Sequence, residues 1–538
     1  MHTKQWQAVC GYVTDVCESV AGSERTMRDL FDLITEEKNR VIYSWDEKGH
    51  AAYVRRDVFR RSVISVARKL ADYLPEPHGM VGLHLDNTPF WPVCYWAILM
   101  SGHIPLIMDS RYELFHYRSL GECSGLSCIT NDRNYPNVIS PDSLKGSRSE
   151  VDSAFFDRLW ADETVFACET ADGGLRAVSH DGQSFCEQFR RLRHVYQYNQ
   201  SMFQPARKGT MKAAVSQRFS DYFGLLCGII LYPCFNAEMY IAGEQEDIRK
   251  YLDACRAQGI THHCASAEVC NGMLPEIIRR IRKEFPRDAE ACIAWLNGEE
   301  RVNDYRLLSR YMSISAKIRK SAFGKKACCI LCTDEQLNRT ASRFFSQLGI
   351  FFGNGCCIPE LGLVSMELSG DPETRTGNSA GILLKGVTGI LLDDGKLVLE
   401  CGEHVGRYCT ADGRENIPSP FPLGGKASFD RHNRLCILRD RQQGGRKKEP
   451  ADPETVAKIR ELYAAVLNKP AEIIEDDMDF FSALGGDSLS YFLLLQHIEI
   501  MFGIRIRPEE RIYFSTARYA AETLKPYIQN KGVVTNNA

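Results

Sequence analysis

The segment Asp479-Phe-Phe-Ser-Ala-Leu-Gly-Gly-Asp-Ser-Leu489 constrains this 538-residue chain more than any other stretch. Gly485-Gly486 predicts a tight turn, since glycine alone takes the needed backbone conformations without steric cost. Ser488 then opens an apolar helix expected over 488–502, with Leu489, Phe492, Leu495, Ile498 and Phe502 inward and Gly503 as its stop. The flanks complete the pattern of a small four-helix domain. Asp452-Pro453 starts a first helix that carries Val456, Ile459, Leu462, Val466 and Leu467 on a helical period. A polar loop from Glu472 to Asp479 leads to the serine, and Ile504, Ile506 and a short segment near Ile512 follow the second helix. Thr516 caps a last helix holding Tyr519, Leu524 and Ile528. At the start of its helix, Ser488 faces backbone N–H groups without intrahelical partners and the positive end of the helix dipole, a setting suited to an anion. The plainer reading is an N-cap serine, since Asp-Ser before an apolar run is a common helix start.

Leu484-Gly-Gly-Asp-Ser-Leu489 within this helical frame resembles the prosthetic-group site of acyl and peptidyl carrier proteins. The resemblance implies a 4'-phosphopantetheine arm on Ser488, its thiol holding the cargo as a thioester. It also implies that Asp487 and Leu489 matter for recognition by a phosphopantetheinyl transferase. Between Ala451 and Ile528, 13 Asp/Glu stand against 8 Lys/Arg, a net charge of −5. Acidic excess around the second helix suits repeated, transient docking to basic partner enzymes.

Composition bounds the remainder. With 44% hydrophobic and 25% charged residues the chain is ordinary globular material, long enough for two or more domains. A net charge of −3 gives no reason to expect nucleic acid or an anionic membrane as partner. The start, Met1-His-Thr-Lys-Gln-Trp6, has no apolar signal region, and no run approaches a membrane span. The 21 cysteines are irregularly spaced and read as reduced thiols of a cytoplasmic chain. His262-His263-Cys264, Cys328-Cys329 and Cys356-Cys357 invite a metal reading. Neighbours on a strand point to opposite faces, however, so none is expected.

Residues 22–441 are α/β in character. Val81–Leu85 predicts a buried strand, Asn87-Thr88-Pro89 the start of a helix reaching Gly102, and Ile104–Met108 a parallel strand. Asp221–Tyr232 is an apolar, helix-like segment; Ala237–Ile241 is a strand, and Glu246–Gln258 a helix ending at Gly259. Ile330–Cys332, a helix over Leu337–Leu348 and Ile350–Phe352 form a further unit. From Gly381 to Arg441 short strands alternate with turns at Asp393-Asp394-Gly395, Asp412-Gly413 and Asp430–Asn433.

This order resembles the large N-terminal subdomain of the adenylate-forming enzymes, which include acyl-CoA ligases and the adenylation domains of nonribosomal peptide synthetases. The likeness is carried by Thr26-Met-Arg-Asp-Leu-Phe31 with Val41-Ile-Tyr43, by Val81–Asn87 through Ala97–Pro105, and by Gly259-Ile-Thr-His262. The family's catalytic motifs are altered here. Its phosphate loop, rich in Ser, Thr and Gly and closed by Pro-Lys-Gly, corresponds to Phe166–Val178, where only Gly173, Gly174 and Arg176 are serviceable. Glu169 and Asp172 add negative charge beside a triphosphate, each contact costing on the order of a few kcal/mol at an effective dielectric near 20. Its aromatic-Gly-x-Thr-Glu motif falls on Phe352–Glu360: Asn354 stands for the aromatic that stacks on adenine, and Ile358 for the magnesium-holding glutamate, with Glu360 two residues away. Its Thr-Gly-Asp falls on Leu423-Gly424-Gly425, so the ribose carboxylate becomes glycine. The mobile C-terminal subdomain of roughly a hundred residues, which brings the catalytic lysine, is replaced by a linker. Arg439-Asp-Arg441 stands at the hinge and Gln442–Pro450 runs straight to the carrier, with Lys447 and Lys448 as its solvated cations.

The expected organisation is an N-terminal extension (1–21), a pseudo-adenylation domain comprising the large subdomain only (22–441), a flexible linker (442–450), an all-α four-helix carrier domain (451–530) and a disordered tail (531–538). The expected function is a carrier whose degenerate partner domain is a scaffold without catalytic residues. A separate ligase or transferase loads Ser488 in trans, and downstream assembly-line enzymes draw on it. Two alternatives stay open: a divergent ATP-dependent ligase that borrows a subdomain from another chain, and a small-molecule sensing module.

Overall fold

The computed structural model describes residues 2–438 and 452–524 apart from short internal stretches, chiefly 121–125, 147–155, 199–204, 243–246, 372–378, 481–483, 485–487 and 507–515. It divides into two compact units, Met1–Gln442 and Gln443–Ala538.

In the first unit the predicted strand–helix–strand forms as Met80–His84, Trp91–Met100 and Ile104–Ile107, the two strands parallel with Met80 opposite Ile104. Pro92 sits in the first turn of the helix, where its missing N–H costs nothing. All ten residues of that helix are buried, as an all-apolar helix requires. Among the described residues three sheets form. An eight-stranded sheet runs in the order Gly413–Asn416, Arg407–Thr410, Leu175–His180, Thr164–Glu169, Ile104–Ile107, Met80–His84, Ser127–Thr130, Val138–Ile139. A nine-stranded sheet has a parallel centre built from Phe351–Ile358, Cys329–Cys332, His262–Cys264, Lys212–Val215 and Glu238–Ile241. The late, short strands make a four-stranded antiparallel sheet of Val387–Leu391, Lys396–Cys401, Phe421–Phe429 and Leu435–Leu438. Its turns fall where expected, at Gly395 (φ 81°) and Asn433 (φ 57°).

Two elements differ from expectation. The apolar run after Asp221 is α-helical only over Tyr222–Leu225 and Tyr232–Cys234; Leu226–Leu231 between them is a π-helix. Gly224 and Gly228 press the backbone against its surroundings: an added Cβ would lie 1.8 Å from the Arg218 carbonyl oxygen and 2.5 Å from the Phe219 ring respectively. The helix expected over 337–348 spans only Ala341–Gln347. The Asn338 carboxamide accepts from the Thr340 N–H and hydroxyl (2.9 and 3.0 Å), holding the preceding residues in a turn. The N-terminal stretch is a helix, His2–Ala21, docked on the Gly182–Tyr198 helix with Cys17 and Val20 buried and Glu18 3.0 Å from Arg193.

The second unit is helical. Asp452 accepts from the Thr455 N–H (3.0 Å) and caps Pro453–Leu467, which ends at Asn468 in the left-handed region (φ 51°). The helix Ser488–Phe502 stops at Gly503 (φ 58°), and the Thr516 carbonyl accepts from the Ala520 N–H (2.9 Å) as the last helix begins. Its core gathers Ile459, Tyr463, Phe480, Leu484, Leu494, Leu495, Ile498 and Leu524. Tyr519 and Ile528, expected in that core, lie outside the described residues, as do the linker and the tail.

Candidate functional site

Ser488 is the first residue of a fifteen-residue helix. The N-terminal end of the helix, where backbone N–H groups lack intrahelical acceptors and the helix dipole is positive, therefore lies at its backbone, an arrangement that fits a phosphate-linked arm. The side chains of Ser488 and Leu489, and all of Asp487, lie outside the described residues. What holds the approach to Ser488 is described. Phe480 is fully buried, its ring edge-on to Tyr463 (5.1 Å between centroids) and tilted on Tyr491 (5.4 Å). Leu484 plugs the same core four residues before the serine.

The outer face of this helix is apolar rather than acidic. Leu493, Ile500 and Met501 are 42, 77 and 48% exposed and, with exposed Gln496 and His497, form one stripe at i, i+3, i+4, i+7, i+8 spacing. The helix's single carboxylate, Glu499, accepts from the Ile506 N–H at 2.9 Å. The acidic excess expected around the second helix thus belongs to the segment before it, since the residues from 503 to 528 carry more Lys and Arg than Asp and Glu. Leu494, which the periodicity passed over, is fully buried.

In the first unit the stretch corresponding to the phosphate loop is an antiparallel hairpin, Thr164–Glu169 with Leu175–His180; 171–173, including Asp172 and Gly173, lie outside the described residues. Arg176 is exposed and stacks over the Tyr408 ring, 4.5 Å from its centroid. Glu169 lies 3.5 Å from His116. The second motif is one continuous strand, Phe351–Ile358. Asn354 donates from Nδ2 to the Ser379 carbonyl (2.7 Å), and Ile358 is buried at 7% exposure. The turn beyond that strand is pinned from three sides. His180 Nε2 donates to the Pro359 carbonyl (2.6 Å), the Gly406 N–H donates to the Glu360 carbonyl (2.8 Å), and fully buried Arg191 donates to the carbonyls of Leu361 (2.7 Å) and Leu363 (3.2 Å). Burial pushes His180 down to about 4, so it is neutral near pH 7. An added Cβ on Gly406 would sit 2.8 Å from His180 Nε2, so this contact requires glycine. Burial raises the Glu360 carboxyl. Tyr222 packs on His180 (4.6 Å), Phe166 (5.3 Å) and Phe185 (5.6 Å), an aromatic cluster against the hairpin. Gly425 lies within the strand Phe421–Phe429.

His262 and His263 are buried core histidines, each hydrogen-bonded through Nδ1. His262 Nδ1 lies 2.8 Å from the Thr261 hydroxyl, and His263 Nδ1 3.0 Å from the Tyr251 hydroxyl. Among the described residues no group of three or more His, Cys, Asp or Glu is placed to hold a metal, and no helix is long and apolar enough to cross a membrane. One cavity in this unit, of about 430 Å³, is lined by Arg28, Asp29, Asp32, Trp160 and Asp162, and another, of about 570 Å³, by Trp295, Val302, Leu308 and Met312. Neither is lined by Arg176, Asn354, Ile358 or Gly425.

Residues 457–518 match the family model of the phosphopantetheine attachment site. Acyl carrier proteins 4 and 1, both chloroplastic, of Cuphea lanceolata are each 33% identical over 82 residues, 15% of this chain and 59% of theirs. The chain thus spans 59% of the length of these curated relatives. The first unit is similar in fold to the N-terminal subdomain of Klebsiella oxytoca NpsA, solved with anthranilyl-AMSN (13% identity, 77% of this chain and 100% of that one, TM-score 0.53). It is also similar to the o-succinylbenzoate CoA synthetase MenE of Bacillus subtilis (11%, 80% and 82%, TM-score 0.55). An artificially fused adenylation–PCP didomain, NpsA-ThdA of Klebsiella oxytoca, matches 94% of this chain and 99% of its own at 12% identity and TM-score 0.54. At such identities the likeness is one of fold.

Proposed function

We propose that this chain, a 4'-phosphopantetheine carrier domain behind a unit of adenylation-domain fold, is a carrier whose N-terminal unit no longer activates acids and instead serves as a docking platform for the enzyme that loads Ser488. The arm supplies a terminal thiol for acyl attachment. The chain's own part is to present Ser488 at a helix start, with Asp487 and Leu489 as contacts for the phosphopantetheinyl transferase, and to offer the cargo to downstream assembly-line enzymes. The observation that carries the loss of activation is the consumption of motif positions by internal structure. Asn354 is bonded to the Ser379 carbonyl, Ile358 is buried in place of a carboxylate, and His180, Arg191 and Gly406 tie down the turn where nucleotide contacts would form. A hard cation has no oxygen ligand at Ile358, and glycine at 425 leaves a ribose without a carboxylate partner.

The expected result is that the arm-bearing chain, given MgATP and pools of amino and fatty acids, shows pyrophosphate exchange at background and no acyl mass gain. Robust exchange with any one acid by this chain alone would overturn the reading. The platform role is tested by cutting the carrier free at about Glu449. At low concentration its cognate enzyme should load it more slowly than the full chain, because binding to the platform raises the local concentration of enzyme. Equal rates would leave the N-terminal unit without a docking role.

The apolar stripe leads to a separate expectation for partner enzymes. Leu493→Asp combined with Ile500→Asp should slow loading by about tenfold or more, the effect of losing central apolar contacts worth ~1–2 kcal/mol each. The carrier should stay folded, since both side chains point to solvent. Loading by the wild type should depend only weakly on salt, because the stripe carries no carboxylate. Steep salt dependence with a fully active double variant would move the docking surface to the acidic segment.

A further inference from the structure

The helix Pro453–Leu467 ends in a defined way. Asn468 takes the left-handed conformation, the Lys469 N–H bonds back to the Ala464 carbonyl (2.9 Å), and Pro470 prevents any continuation. This places Lys469 at one fixed point beside the helix end, half-buried. From there its ammonium crosses to the carbonyl oxygen of Leu484, 2.5 Å away and fifteen residues on in sequence. Leu484 has its side chain in the core (3% exposed) and precedes Ser488 by four residues.

A carbonyl belongs to a planar peptide unit, so fixing its oxygen also fixes the direction in which the next N–H and Cα leave. The Leu484 side chain anchors one side of that unit and the Lys469 ammonium the other. The Leu484 carbonyl, four residues before Ser488, is therefore held from both sides. A charge-assisted bond to a carbonyl is also stronger than a neutral one.

We propose that Lys469 is a positioning residue for arm attachment: by holding the Leu484 carbonyl it presents Ser488 to the phosphopantetheinyl transferase in the orientation the reaction needs. This rests on the carrier reading of Ser488. Removing the ammonium leaves the helices and their core in place but frees the Leu484 carbonyl, so the transferase must then supply that hold itself.

The test uses the full chain as wild type, Lys469→Met and Lys469→Arg, with a phosphopantetheinyl transferase and coenzyme A, followed by intact mass over time. Lys469→Met should lower kcat/KM for arm attachment by about tenfold, the factor that ~1.4 kcal/mol represents. The carrier unit should stay fully folded under the assay conditions, its denaturant midpoint falling only by what one hydrogen bond contributes, and Lys469→Arg, which can still donate to the carbonyl, should recover most of the rate. An equally fast Lys469→Met, or a loss of rate that tracks a loss of folded protein, would overturn the proposal. So would an arginine variant as slow as the methionine one. If the wild type itself gains no arm, the carrier reading falls and this inference with it; if the wild type gains the arm and Lys469→Met keeps pace, this inference alone falls.

Discussion

Ser488→Ala should abolish arm attachment. The wild-type chain, incubated with a phosphopantetheinyl transferase and coenzyme A, should gain the mass of one phosphopantetheine, and the alanine variant none. The expectation is all-or-none because the reaction needs a side-chain hydroxyl at the head of the helix Ser488–Phe502 and alanine supplies none. Capping losses on such a change are about 0.5–2 kcal/mol at most, too little to unfold the unit, so an unmodified variant would report chemistry rather than collapse. A Ser488→Ala chain that still gains the arm would show a second attachment point and remove Ser488 from its assigned role.

The second large effect is one of stability. Phe480 is fully buried and joins the loop before Ser488 to Tyr463 of the first helix and Tyr491 of the second. Phe480→Ala should cost about 3–5 kcal/mol, lost transfer energy plus the cavity left behind. A domain of this size sits near the lower end of the ~5–15 kcal/mol typical of folded domains, so the change should leave a substantial fraction of the carrier unfolded near 37 °C. Hydrogen exchange over 453–502 in the full chain should accelerate steeply while peptides from the first unit keep their protection. Phe480→Leu, which retains most of the volume, should cost about 1.5 kcal/mol or less. Unchanged protection in Phe480→Ala would mean that the loop does not depend on this anchor.

Much of the fold was legible because its signals are local. Asp452-Pro453 as a start, and Gly259, Gly395, Asn433 and Gly503 as stops or turns, act through backbone sterics and side-chain capping over a few residues, so they can be read without knowing any distant contact. All four glycine and asparagine positions adopt positive φ. The Val81–Met108 strand–helix–strand is equally local, an apolar run broken by Asn-Thr-Pro and by Gly-His. The expected adenylation-type fold and the carrier behind it rest on such signals in sequence order.

Largely apolar segments were not legible in the same way. Over 489–502 ten of fourteen residues are apolar, so periodicity found Leu495 and Ile498 but passed over Leu494; packing against Tyr463, Phe480 and Leu524 buries all three and leaves Leu493, Ile500 and Met501 in solvent. The run after Tyr222 has no polar stripe to set a 3.6-residue repeat, and two glycines in close backbone contact let it settle into a π-helix. The partners of Asn354, His180 and Arg191 are carbonyls 25, 179 and 170 residues away in sequence. The substitutions at the motif positions could be read from residue type, but which groups occupy those positions depends on sheet order, which joins strands far apart in the chain. The sequence by itself determined where Ser488 stands, at the glycine-led start of a helix, because turn and helix-start preferences are properties of neighbouring residues. Only the tertiary structure decided which face of that helix meets solvent and that Lys469 reaches the Leu484 carbonyl, because those choices are made by burial of side chains that adjacency does not connect.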